Sequence, residues 1–243
     1  MAPSCEVRLL GGFSVTVDDR PVSVDAWRSR RAADLVKLLA LQSDHRLHRE
    51  QVMEALWPDL SSDAAAANLR KAVHYARRAM ETEEAIATGS GMLALWPHGA
   101  LDVDFDRFLW DSDEALSSES RDACALLVEK YPGELLPADR YEAWAEDPRA
   151  RAQARFVAVL KGAGEWDRVL SIDPTDEQAH RALMQHHLVA GNRREAIRQF
   201  ERLRDALREH IGVGPDPLTV ALYEKVLESE GPQPPTRAEY AAE

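Results

Sequence analysis

The stretch SSDAAAANLRKAVHYARRAM, Ser61–Met80, decides how this chain is read. Ser61, Ser62 and Asp63 are helix-capping types, and Asp63 also suits the positive end of a helix dipole. Leu69, Val73, Ala76 and Met80 then recur at spacings of four, three and four. At about 100° per residue they fall on one side of a helix, a stripe fit for burial. The opposite side carries Ala67, Lys71, His74, Tyr75 and Arg78, with Arg70 and Arg77 on its flank. No Asp or Glu occurs from Ala64 to Met80, although the chain holds 42 acidic against 30 basic residues and a net charge of −12. An acid-free cationic helix in an acidic protein points to a phosphate-bearing partner.

Outward from this helix, the elements arrange themselves around it. Upstream, Arg49–Leu56 reads as a short helix with Val52, Ala55 and Leu56 inward, stopped by Pro58. Before that, Leu35, Leu38, Leu39 and Leu41 fall at helical spacing within 30–42, with Ser29 placed to cap. His45-Arg46-Leu47 reads as a link. Residues 6–24 alternate around Val7, Leu9, Phe13, Val15, Val17, Val22 and Val24, with turns at Gly11-Gly12 and Asp18-Asp19, a small antiparallel meander. Downstream, 85–88 and 92–96 flank Gly89-Ser90-Gly91 as a hairpin. Meander, three helices and hairpin in this order describe a winged helix-turn-helix over 1–99, with 64–80 as recognition helix and the hairpin as wing.

From 100 to 229 the pattern predicts helices alone, over 105–116, 120–131, 141–162, 165–172, 176–190, 193–211 and 217–228. The pair joined at Gly191-Asn192 has tetratricopeptide character, with Leu183, Ala196, Phe200 and Leu203 in register. The fold expected is therefore an α+β winged helix-turn-helix followed by an all-α, tetratricopeptide-like domain. A tail at 230–243, with Pro232, Pro234 and Pro235, is expected to be disordered. Residues 1–98 hold 12 basic and 13 acidic side chains, so the excess negative charge belongs to the helical half.

Several function classes lose support. No run of about 18 apolar residues occurs. The N-terminal residues lack a secretory pattern. Cys5 and Cys124 read as reduced thiols, placing the protein in the cytoplasm. His45, His48, His180, His186 and His187 complete no metal-ligand set at known spacing, and His180 and His187 suit a core or its rim. No nucleotide-binding loop, nucleophile elbow or zinc-protease motif occurs, so neither a cofactor nor an enzyme is expected. Trp57, Trp96, Trp110, Trp144 and Trp166 are scattered over both halves and read as anchors between elements, while Trp27 ends the strand region and is expected at the edge of its domain.

Taken together, EVRLLGGFSVTVDDRPV (6–22), SRRAADLVKLLAL (29–41), HREQVMEALWPDLSSDAAAANLRKAVHYARRAM (48–80), YPGELLPADRYEAWAEDPRAR (131–151) and FERLRDALREHIGVGPDP (200–217) resemble the SARP family of bacterial transcription regulators. That resemblance implies an OmpR/PhoB-type winged-helix domain joined to a bacterial transcriptional activation domain. It also implies promoter DNA with direct repeats as ligand, assembly as a homodimer or larger, and contact with RNA polymerase and its sigma factor. The implied base-reading residues are Arg70, Lys71, His74 and Arg78; from their place on the flank of the helix, Arg70 and Arg77 equally suit phosphate. Arg30, Arg31 and Arg49 match backbone-contacting positions, and 57–63 matches the loop that meets polymerase. Two features depart from the family: the wing, 88–95, has no Lys or Arg, and several helices of the acidic half are brief. An alternative reading therefore stays open, a tetratricopeptide-like scaffold whose winged helix makes protein contacts.

Overall fold

In a computed structural model, residues 3–229 are described; the expected tail at 230–243 lies outside them. The chain divides into two compact units, 1–118 with 126–156, and 119–125 with 157 onward. The expected boundary at 99/100 falls inside the first unit.

In the first unit β1 (Ser4–Arg8), β2 (Ser14–Val17) and β3 (Arg20–Pro21) form the meander, with Val7 opposite Val15. The third strand is only two residues long, and Val24, expected on it, begins a 3-10 turn (Val24–Ala26) and is 85% exposed. A fourth strand, β7 (Ala100–Val103), lies parallel to β1, giving the order β3-β2-β1-β7. The helix-only expectation for 100–229 missed it. The segment after it is tied to the same sheet: Asp104 accepts the N–H groups of Leu9 and Leu10 at 2.8 and 3.1 Å. Gly11 N–H donates to Glu134 O at 2.8 Å, and Leu136 N–H to Leu9 O at 2.9 Å. A Cβ on Gly11 (φ +73) would stand 2.7 Å from Pro132 O, so only glycine permits this approach.

Three helices follow: α1 (Arg30–Ala40), α2 (Arg49–Leu56) and α3 (Ser62–Ala79). Each packs on the other two. Leu35, Leu39, Leu56 and Met80 are fully buried in this unit, each contributing about 1.5–3 kcal/mol by leaving water. Ser29 occupies the N-cap of α1 without a side-chain hydrogen bond, whereas His48 caps α2 in a capping box with Gln51. Arg46 and Leu47 of the expected link at 45–47 instead belong to a strand, β4 (Arg46–His48), which pairs with β6 (Met92–Leu95). With β5 (Ile86–Gly89) it makes a second sheet, β4-β6-β5, whose β5–β6 hairpin is the wing.

Two helices lie in both ranges of sequence, α5 (Arg121–Lys130) and α6 (Glu146–Ala163), after α4 (Asp104–Ser117). Within the first unit Tyr131 stacks on Phe156 at 3.9 Å and lies 5.1 Å from Phe108. Trp110, expected as an anchor, is instead 72% exposed on α4.

The second unit contains α7 (Trp166–Ile172), α8 (Glu177–Val189), α9 (Arg193–His210) and α10 (Pro217–Glu228). Gly191 (φ +73) makes the α8–α9 turn. Met184, Ala196, Phe200 and Val226 form the core, with Tyr223 stacked on Phe200 at 3.9 Å. His180 is buried there, taking Gln199 Nε2 at 2.9 Å on Nδ1 and facing Pro174 O at 3.0 Å through Nε2. Burial pushes its pKa down, which favours the neutral ring.

Candidate nucleic-acid interface

The amphipathic division read in the sequence is present on α3. Ala65, Leu69, Ala72, Val73, Ala76, Ala79 and the capping Met80 are buried. Arg70, Lys71, His74 and Arg78 are exposed, and Tyr75 and Arg77 are half-buried. Ser61 holds the N-cap backbone without a side-chain bond, and Asp63 stands in the first turn. At the other end Glu81 enters the left-handed region (φ 54), and Thr82 N–H closes the last turn on Arg77 O at 3.1 Å. Arg77 and Arg78 there face the negative end of the dipole, which adds to helix stability.

The cations of this face divide by partner. Among the described residues Arg70, Lys71 and Arg78 have no carboxylate within ion-pair distance. His74 meets only the edge of Tyr75, with ring centroids 5.5 Å apart. Arg77 is committed elsewhere: its Nε and Nη2 donate to Ile86 O at 3.0 and 2.7 Å, and Nη1 lies 3.1 Å from Glu83. It fastens the first wing strand to α3. Arg49 is exposed at the start of α2, and its N–H donates to Gly91 O at 2.8 Å, joining that helix to the wing turn.

Arg30 and Arg31 stand in a different setting. Arg30 lies 2.7 Å from Glu142 and 3.8 Å from both Asp34 and Asp139. Arg31 lies 3.2 Å from Asp34 and 3.3 Å from Glu142, whose carboxylate also accepts Trp144 Nε1 at 3.0 Å. Beneath them Lys37 Nζ is 2.7 Å from Asp139 and 3.4 Å from Asp34, and 4.9 Å from the centre of the Phe13 ring. Burial raises the pKa of Asp34, and the neighbouring Lys37 and Arg31 oppose that rise. Sequence spacing gave no sign of the distant members of this network, because Asp139 and Glu142 lie about a hundred residues from their partners. Its local signals are Arg30, Arg31 and Lys37, each at helical spacing from Asp34.

No group of three or more His, Cys, Asp or Glu able to hold a metal occurs among the described residues, nor does any described helix have the length and apolarity to cross a membrane. Cys5 and Cys124 are unpaired and buried, and burial pushes the Cys5 thiol up to about 12.

With this geometry in view, the relatives are informative. Residues 62–227 match the family model described as bacterial transcriptional activator domain. Among solved structures, Mycobacterium tuberculosis EmbR, determined in complex with a low affinity phosphopeptide, superposes with a TM-score of 0.72 at 16% identity. The match covers 92% of this chain and 65% of that one, so this chain spans about two thirds of the EmbR length. At that identity the likeness is one of fold: a winged helix-turn-helix followed by a helical array. No protein of curated function matches. The matched stretch is more than half of the sequence, and the chain belongs to the bacterial transcriptional activator domain family, in keeping with the SARP-type regulators that its sequence resembles.

Proposed function

We propose that this protein binds double-stranded promoter DNA in a sequence-specific manner, with α3 in the major groove. The observation that carries this reading is the exposed row of Arg70, Lys71, His74 and Arg78, unopposed by carboxylates in a chain of net charge −12. Lys71, His74 and Arg78 face outward together and are assigned to base edges; an arginine held bidentate on guanine discriminates by about 1–3 kcal/mol. Arg70 and Arg49 are assigned to phosphates, adding affinity without sequence choice. Arg77 acts through the wing that it positions. Arg30 and Arg31 reach phosphate only by exchanging Glu142 for it.

A single module of this type covers a modest area, so direct repeats occupied by two copies give tighter binding than one half-site. Activation follows from contact of the protein with RNA polymerase and its sigma factor. The exposed 58–61 segment after Trp57, with Leu60 outward, is one surface for that contact. A gel shift of the full chain against a random-sequence duplex pool tests the reading. Selective retention of related sequences, abolished in Lys71→Ala and Arg78→Ala, supports it. Equal retention by wild type and both variants refutes it and favours the scaffold alternative, to which the cation-free wing lends weight.

A further inference from the structure

Between α3 and the β5–β6 hairpin lies a cleft of about 490 Å³. Leu69, Val73 and Leu93 supply its apolar lining, and Arg49 and Arg70 supply open positive charge, while Arg77 on its wall is held by Ile86 O and Glu83. Met92, 37% exposed, also lines it, and no Asp or Glu does. The volume falls within the range of small-molecule sites, which pair apolar walls with a few placed polar groups. A bare phosphate satisfies Arg49 and Arg70 but leaves Met92 and the apolar floor beside it uncovered. A ligand with an apolar body and one anionic head uses both features, since the guanidinium fork matches a carboxylate.

We propose that this cleft binds a small organic carboxylate with an apolar body, and that such a ligand and duplex DNA exclude one another. The site stands on the cleft alone; the exclusion rests on the DNA reading above, because Arg49 and Arg70 are shared. The site thereby gives the protein a chemical signal that releases it from DNA.

The test uses the full chain with 8-anilinonaphthalene-1-sulfonate as fluorescent probe, its sulfonate standing for the carboxylate. Saturable binding is expected, displaced by 1-naphthoate and not by equimolar acetate. Arg49→Gln weakens the probe about tenfold, the effect of removing one charge-assisted hydrogen bond. Met92→Glu abolishes binding by placing an anion beside the ligand, while Met92→Leu retains it with the same thermal midpoint. Binding unchanged in both Arg49→Gln and Met92→Glu overturns the site, as does acetate displacing as well as naphthoate. Duplex is expected to displace the probe competitively, and a ternary complex overturns the exclusion. A chain that binds the probe through Arg49 and Met92 but binds no duplex upholds the site and refutes the DNA reading.

Discussion

Lys37→Met tests the charge network beneath α1. Lys37 has a side chain only 8% exposed, and Asp34 and Asp139 beside it are 0% and 5% exposed. Methionine keeps the length and apolarity of the stem, so the substitution removes chiefly the charge. Breaking a buried pair from one side costs about 3–5 kcal/mol, because the remaining carboxylate is buried without compensation. Arg31 at 3.2 Å from Asp34 and Arg30 at 3.8 Å from Asp139 keep part of that compensation, which sets the expectation at the lower end, about 3 kcal/mol. For a chain of this size that is a fall of about 6–12 °C in the melting midpoint of the first unit. The double variant Lys37→Met/Asp139→Asn removes one orphaned charge and recovers part of the loss. The pH dependence has a definite sign. Asp34 has a raised pKa when folded, so the folded state binds the extra proton, and its contribution to stability falls as pH rises through that pKa. Without Lys37 the rise is larger, so the deficit of the variant is greatest at neutral pH and shrinks in acid. Urea melts at several pH values measure both effects. A loss below about 1 kcal/mol, as for an exposed pair, or no recovery in the double variant, refutes the reasoning.

Other outcomes follow from the same geometry. Lys71→Ala and Arg78→Ala each weaken duplex binding and relax the choice of sequence, whereas Arg70→Ala, on phosphate, lowers the salt slope by about 0.9, read by fluorescence anisotropy across a salt series. Glu142→Gln releases Arg30 and Arg31 from a carboxylate, so duplex affinity rises and the salt slope steepens by up to about 0.9 per arginine recruited. Unchanged affinity in Glu142→Gln assigns those arginines to the fold alone. Gly91→Ala sets a Cβ at φ +79 and 2.8 Å from His48 Nε2, costing about 1–3 kcal/mol in a urea melt and loosening the cap of α2.

Elements whose stability is local were legible in the sequence. The bounds of α2, Arg49–Leu56, and α10, Pro217–Glu228, follow from a proline at one end and a periodic apolar face. The strands β4 and β7 escaped for the opposite reason. Three or four residues carry too little alternation to declare themselves, and each is a strand only because β6 or β1 pairs with it. The same division holds at the interface. The outward cations of α3 could be placed from helical spacing, since exposure on a helix is a local property. The engagement of Arg30 and Arg31 by Glu142 could not, because it depends on a segment brought back to β1 by Gly11 and Leu136. Arg77 lay between these cases: its helical position was readable, but the carbonyl of Ile86 that holds it was not.

Covalent footprinting of lysine and arginine side chains on the full chain, with and without a selected duplex, tests most directly whether α3 is the reading element. Duplex is expected to shield Arg70, Lys71 and Arg78 from modification while the exposed Lys225 of α10 reacts as before. Modification of all three at the unshielded rate, in a complex shown to be formed, contradicts the account.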